Sequence, residues 1–299
     1  MNASLVREIK KIIKEAGLSC SVSYFIQYSP LGWYDISCKV VLSENFIRYF
    51  SNKVDWEYIS QYQRLSEKFI REFKNKVDWE CISAYQKLSE KFIREFKKKL
   101  NLHYILKFQK LSEKFIREIS KYISNNFMKN GYLFFISQYQ ELSEKFVLDH
   151  KLALNWNNLM YCQNLKKSFF KNCHIKSNFD WEDVKRVKSL KQKKLEMQAY
   201  AKKHNLNFDG KYLYAYRKHD QWGRGSWNKT IFYKVGKYYR DWHCDMNDEV
   251  EDSFGLGIWP KHRIGVNTMV KVSVKDWGCE VLNGFGKGRV WGFTVVKKV

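Results

Sequence analysis

The side chains able to do chemistry gather in the last third of the chain. His243, Cys244, Asp245, His262 and Cys279 are all metal-ligand types. A zinc site is built from closely spaced ligand pairs that one turn presents together, and no pair here has that spacing. Neither a metal nor a cofactor is expected. Gly284, Gly286 and Gly288 alternate as in a phosphate cradle, but no further glycine and no helix follow, and the segment leads into a strand. A hairpin turn is the simpler expectation.

Binding chemistry is more densely represented. Tyr214, Tyr216, Trp222, Trp227, Tyr238, Tyr239 and Trp242 interleave with Arg217, Lys218, Arg224, Lys229 and Arg240. Rings can stack bases while cations hold phosphates, so Tyr216, Arg217, Trp222, Arg224, Trp227, Tyr239, Arg240 and Trp242 define a candidate aromatic-basic surface. The competing expectation is that most of these rings fill the core of a small domain. A second candidate lies upstream, where twelve Lys and Arg stand against four acids between Gln163 and Asn205. Its centre is Lys185, Arg186, Lys188, Lys191, Lys193 and Lys194, on a helix expected from Asp180-Trp181 to about Lys203. The stripe Val184, Val187, Leu190 and Leu195 would cap the preceding helices and leave the lysines in water. Such a surface suits phosphates or an acidic partner; the plainer reading is a solvated capping helix.

The formal charge of +23 points the same way, but its make-up weakens the argument. The cations are 42 Lys and 12 Arg, whereas phosphate recognition favours the bidentate Arg fork. A chain this rich in Lys, Asn, Ile, Tyr and Phe also fits AT-rich coding. With 44% hydrophobic and 17% aromatic residues, the chain should fold around substantial cores. No apolar run is long enough to span a membrane, and Lys10, Lys11, Lys14 and Glu15 interrupt the first twenty residues, so neither a span nor a secretory signal is expected. An intracellular, cytoplasmic protein with reduced thiols follows. The seven cysteines are odd in number and scattered, and Cys81 and Cys162 replace Tyr or Phe of other repeats as small core residues.

The elements that must position these residues come from a repeat. An equivalent first position recurs at Trp33, Trp56, Trp79, Leu102, Leu133, Trp156 and Trp181, and Leu-Ser-Glu keeps step at Leu42, Leu65, Leu88, Leu111 and Leu142. The period is 23 residues, with eight inserted before Leu133 and two before Trp181. Periods of this size mean stacked units that bury their apolar faces only against neighbours. Each unit holds two helix starts, such as Asp55 before Trp56 and Ser66 before Glu67. Val54 with Ile59, and Leu65 with Ile70, fit hydrophobic staples. Phe69, Ile70 and Phe73 make the apolar stripe of the second helix, while Trp56, Ile59 and Gln63 share a face of the first. Glu67–Arg71, Glu90–Arg94 and Glu113–Arg117 are spaced i to i+4, as are Lys68–Glu72 and Lys91–Glu95, which reads as a self-neutralising solvated face. Gln63, Gln86, Gln109 and Gln140 are expected as buried amides closing turns. Ser4 should start an opening cap helix that Gly17 ends.

Twelve of the fifteen glycines fall between Gly210 and Gly292, where the repeat vanishes. The chain therefore divides into an α-solenoid of short two-helix repeats over 1–205 and a Gly-rich β or α+β domain over 206–299. Strands are expected at 213–217, 230–235, 269–274 and 290–296.

The DW-x-x-IS-x-YQ-x-LSE-x-FIREF unit resembles repeats in uncharacterised proteins of giant DNA viruses and some large phages. Residues 233–257 and the closing KGRVWGFTVV resemble a small uncharacterised domain appended to viral and phage repeat proteins, including pentapeptide-repeat ones. The resemblance implies a viral origin, and hence the host-cell cytoplasm. Tyr216-Arg217, Ser253 to Gly255 and the late strand also resemble ADP-ribosyltransferase-like domains, which would make Glu280 the catalytic acid; Lys218 departs from the glycine usual after the arginine. The preferred reading is a non-enzymatic macromolecule-binding scaffold that engages a host or viral protein partner. The alternatives are a nucleic-acid-binding protein using the two basic surfaces, and an enzyme with a buried carboxylate near Glu280 beside a Tyr or His.

Overall fold

The computed structural model describes residues 2–122, 126–151, 154–163, 165–172, 188–219, 231–241, 244, 256–260, 266–282 and 286–299. Two compact units emerge, one built on Met1–Tyr104 and Trp227–Ile231 and the other on Ile105–Ser226 and Phe232–Val299.

The first helix, α1 (Ala3–Glu15), is capped by Asn2, whose Oδ1 accepts from the Leu5 amide, rather than by Ser4. Asn2 fits because it lies three residues before Leu5, the first of the buried stripe Leu5, Ile9, Ile12 and Ile13. Gly17 ends the helix at φ +65°, as expected. After α2 (Val22–Tyr28) the repeat begins, with first helices α3 (Trp33–Lys39), α5 (Trp56–Tyr62), α7 (Trp79–Tyr85), α9 (Leu102–Phe108), α11 (Asn126–Tyr139) and α13 (Trp156–Cys162). The second helices are α4 (Glu44–Tyr49), α6 (Glu67–Glu72), α8 (Glu90–Phe96), α10 (Glu113–Tyr122), α12 (Glu144–Asp149) and α14 (Lys167–Asn172). Most have six or seven residues, too few to persist alone in water. The insertion before Leu133 is absorbed by lengthening α10 to ten residues and α11 to fourteen.

The caps hold as the sequence implies. Asp55 and Asp78 accept from first-turn amides of α5 and α7, and Ser43, Ser66, Ser89 and Ser143 do so for second helices. The staple residues Val54, Ile59, Leu65 and Ile70 are all buried.

The next described helix, α15, runs from Leu190 to Lys203, with Ser189 and Gln192 forming a capping box. This corrects the expected start at Asp180-Trp181. Residues 173–187 lie outside the described residues, and the chain at Lys188 and Ser189 is already non-helical. The expected stripe is also wrong for its described members, because Leu190 and Leu195 are 64% and 58% exposed. The buried face is instead Lys193, Met197, Tyr200 and Ala201, and the last three join the core of the sheets that follow.

Those sheets are antiparallel. Strands β1 (Tyr212–Lys218), β4 (Val266–Ser273), β7 (Gly292–Lys298) and β2 (Tyr238–Arg240) lie side by side in that order, and β3 (Leu256–Ile258), β6 (Gly288–Val290) and β5 (Trp277–Glu280) make a second sheet. A 3-10 turn, Val274–Asp276, joins β4 to β5. The expected strand at 290–296 is split at Trp291 and feeds both sheets. The β-rich 231–235 segment forms no strand; the chain turns at 235–236, where Gly236 has φ +79°. Inward residues Leu213, Ala215, Val270, Val272, Phe293 and Val295 of the first sheet meet Ile258, Trp277 and Val290 of the second in one core. Of the Gly-rich segment between the paired strands β5 and β6, Gly284 lies outside the described residues and Gly286 has φ +81°, in keeping with a turn.

Candidate binding surfaces

Nearly every residue that recurs between repeats is spent holding one repeat to the next. Gln63 is 2% exposed; its Nε2 donates to the carbonyls of Ser37 and Val40, and its Oε1 accepts from the Leu42 amide. Gln86, Gln140 and Gln163 do the same one repeat on, so each amide closes the turn of the preceding repeat. The Ser37, Ser60, Ser83 and Ser137 hydroxyls each donate back within their own helix and accept the amide of Asp55, Asp78, Asn101 and Asn155 respectively. Glu44, Glu67 and Glu113 accept from the amides of Ser66, Ser89 and Ser143.

The arginine row is spent in the same way. Arg48 pairs with Glu72 at 2.7 Å, Arg71 with Glu95 at 2.9 Å and Arg117 with Asp149 at 3.0 Å, each reaching into the following repeat. Their guanidinium groups also lie 5.4, 4.9 and 4.7 Å from the ring centroids of Phe69, Phe92 and Phe146. The expected i to i+4 partners are more distant, at 3.6 Å for Glu67–Arg71 and 3.9 Å for Glu90–Arg94. Hydrogen bonds from Arg48 and Arg71 hold the Glu72 and Glu95 carboxyls below the usual range. Charge on this face is cancelled within the helix, as expected, and at shorter distance between repeats.

What varies is the outward face of the first helices. Counted from the repeat starts Trp33, Trp56, Trp79, Leu102, Leu133 and Trp156, the second position is exposed and reads Tyr34, Glu57, Glu80, His103, Phe134 and Asn157. The third reads Asp35, Tyr58, Cys81, Tyr104, Phe135 and Asn158, all half-buried. In the first unit these gather a tyrosine cluster: the Tyr34 and Tyr58 rings lie 4.5 Å apart edge to face, and Tyr58 stacks on Tyr62 at 5.8 Å. A hydrogen bond with Tyr34 pushes the Tyr58 phenol up to about 12. Cys81 stands beside them, half-buried rather than in the core, and burial and Asp78 push its thiol up to about 12, which leaves it protonated and unreactive at neutral pH. Cys162 is buried as expected.

The basic helix does not present its lysines on one face. Lys185 and Arg186 lie outside the described residues. Lys188 pairs with Glu196 at 2.7 Å and donates to the Gly278 carbonyl. Lys193 is 6% exposed, donates to the Lys275 carbonyl, and has its pKa lowered by burial. Lys191 and Lys194 alone of the four described are exposed.

The aromatic-basic set is likewise divided. Trp222, Arg224, Trp227 and Trp242 lie outside the described residues. Arg217 turns inward: its guanidinium lies between 5.4 and 5.8 Å from the centroids of Tyr233, Trp259 and Phe293 and donates to the Gly257 carbonyl and the Tyr233 hydroxyl. Tyr239 packs on Tyr233 and Phe293, and its hydroxyl donates to the Phe232 carbonyl. Arg240 reaches Glu141 at 3.5 Å. Arg240 is exposed, and Tyr216 stands on the outward face of β1 with Tyr212 and Tyr214, which precede it at alternate positions. Strand alternation was the signal for Tyr216 and Arg217, since Arg217 shares the parity of the buried Leu213 and Ala215.

Glu280 has neighbours the sequence reading allowed for. Its Oε1 accepts from Lys203 at 2.9 Å and meets His204 Nε2 at 2.8 Å, while the His204 ring packs on Tyr200 at 4.6 Å. Burial raises the carboxyl pKa, but the Lys203 and His204 bonds outweigh it and the net shift is downward. A depressed folded pKa contributes stability above the unfolded value that is lost as pH falls through the folded one. Glu280→Gln should therefore lower stability near neutral pH, with the deficit shrinking as pH falls through the carboxylate range, measured as denaturation midpoints of parent and variant. The Tyr200 hydroxyl donates to the Gly286 carbonyl, so it is already committed. For the transferase likeness, Ser253 to Gly255 lie outside the described residues and Arg217 is enclosed by rings.

His243, Asp245 and His262 lie outside the described residues; among the described ones no group of three or more His, Cys, Asp or Glu could hold a metal ion. Nor is any described helix long and apolar enough to cross a membrane. No protein-family model, curated protein or solved structure matches the chain.

Proposed function

We propose that the chain is a non-enzymatic helical-repeat scaffold, of viral origin, that binds a host or viral protein partner within the cell along the exposed face of its first helices. The observation that carries this reading is the split between constant and changing positions. Ser, Gln, Glu and Arg recur where they lock neighbouring repeats, while the second and third residues of the first helices change from repeat to repeat and stand at the surface. A surface that contributed only to solubility would tend toward mixed charge. This one places Tyr34 at 54% exposure beside Tyr58 and Tyr62, with Glu57 and Glu80 exposed nearby. Exposed tyrosines offer large contact area for little lost entropy, and the two carboxylates favour a partner bearing Lys or Arg there.

The test is a triple variant, Tyr34→Ser with Glu57→Lys and Glu80→Lys. These are surface changes and should alter the unfolding free energy by less than about 0.5 kcal/mol each. Affinity capture from infected or host cells should recover a defined protein with the parent and lose it with the variant. A protein retained equally by both would sink the assignment of this face.

A further inference from the structure

We infer that the outward face of the four-stranded sheet binds single-stranded nucleic acid, stacking unpaired bases on Tyr214 and Tyr216 and holding the backbone with Lys271 and Lys211. This surface is separate from the first-helix face, and either assignment can fail alone.

The geometry comes from strand alternation. Leu213 and Ala215 of β1 are fully buried, so Tyr212, Tyr214 and Tyr216 stand on the opposite face, each half-exposed. Successive side chains on that face leave the backbone about 6.8 Å apart, two residues at the rise of an antiparallel strand. That spacing leaves no room for bases to stack on one another between rings, and it suits an extended strand whose bases each lie on a tyrosine. Register carries the platform across the sheet: Tyr212 opposes Ser273, Tyr214 opposes Lys271 and Tyr216 opposes Met269. Lys271 in turn opposes Thr294 of β7, which opposes Tyr238 of β2, itself 51% exposed.

Cations are held at the platform by the rings themselves. The Lys271 and Lys211 ammonium groups lie 5.1 and 5.2 Å from the centroid of the Tyr212 ring. Among the described residues, the carboxylates near the platform, Asp209 and Asp276, already hold hydrogen bonds. Asp209 accepts from the backbone amides of Tyr212 and Lys211, which hold its carboxyl below the usual range, and from the Tyr214 side chain, and Asp276 is buried and accepts from Ser273 and Tyr238. α15 packs on the 3-10 turn and on β5, and the outward tyrosines take no part in the buried core. Rings alternating with cations on a rigid sheet match planar bases on a phosphate chain. A duplex, whose bases already stack on each other, cannot use the rings.

The experiment is fluorescence anisotropy of the full chain with short oligo(dT), oligo(U) and a duplex of the same length, at low and physiological salt. Single strands should bind more tightly than the duplex. Tyr214→Ala and Tyr216→Ala should each weaken binding by roughly tenfold, while phenylalanine at either position should preserve it. Lys271→Ala should reduce the slope of log affinity against log salt by about one. Alanine variants that bind like the parent, a duplex that binds as well as the single strand, or no binding at low salt would each overturn the proposal. If an alanine variant fails to fold, photocrosslinking of the parent to bromouracil-substituted oligonucleotide decides instead. Adducts on the peptide that contains 212–216 support the platform, and adducts confined to other segments refute it.

Discussion

Gln86→Ala should cost roughly 3–6 kcal/mol of stability, far more than the loss of a surface glutamine. The side chain is 2% exposed and makes three hydrogen bonds, two donated to the Ser60 and Gln63 carbonyls at 2.7 Å and one accepted from the Leu65 amide at 3.0 Å. Alanine leaves all three backbone groups buried without partners, each costing about 1–3 kcal/mol, and opens a cavity besides. Because a solenoid's repeats touch only their neighbours, the damage should stay local. Hydrogen exchange should speed up in α5, α6 and α7, while α1 keeps its protection. Gln86→Glu sharpens the test. It keeps the shape and the acceptor for Leu65 but sets a carboxylate against two carbonyls, which raises its folded pKa. Its deficit should be full at neutral pH and shrink as pH falls through that raised value, where the protonated acid can donate once. A cost below about 0.5 kcal/mol for the alanine variant would mean that the amide does not join the repeats.

The same residues show where sequence reasoning reaches and where it stops. Period, caps and staples are short-range, and they are legible because Asp55, Ser66 and their copies lie within three residues of the amides they satisfy. The glutamines are legible as buried because an amide recurring at one register among apolar positions must find backbone partners. What the sequence does not fix is which of two equivalent partners wins. Arg71 has Glu67 one turn back and Glu95 one repeat on, and only the stacking register sets these at 3.6 and 2.9 Å.

In the β-rich region the missing information is steric. The chain leaves one sheet for the other at Trp291, where close approach demands glycine on either side. A Cβ at Gly288 would lie 2.9 Å from Ile258 Cγ1, and one at Gly292 would meet the Tyr238 hydroxyl and ring. Neither contact can be anticipated from a window of sequence. Val235 belongs by propensity to a strand, yet the chain turns there, since propensity yields to the packing of Tyr233 into the core. Of the candidate site, Tyr216 was legible from its type and Arg217 was misjudged for the same reason. Both read as an exposed aromatic-basic pair until strand parity sends them to opposite faces.

Arg217→Ala should therefore act as a folding mutation and lower the stability of the β-rich core by about 3 kcal/mol. The guanidinium makes a charge-assisted bond to the Gly257 carbonyl and another to the Tyr233 hydroxyl, at 3.1 Å, while three ring faces enclose it. These contacts tie β1 to β3 and to the segment bearing Tyr233, so their loss removes a joint between the two sheets. For a module of this size the unfolding midpoint should fall by about 10–20 °C. Arg217→Lys, which keeps the charge but neither the fork nor the planar stack, should recover only part of the loss. An arginine kept for a phosphate or for catalysis behaves in the opposite way: its removal abolishes binding or turnover and leaves the melt unchanged, or even relieves repulsion. Calorimetry on the parent and the two variants separates these outcomes without knowledge of any ligand. An unchanged midpoint for Arg217→Ala would return this residue to the list of recognition groups and reopen the enzymatic reading of the region around Glu280.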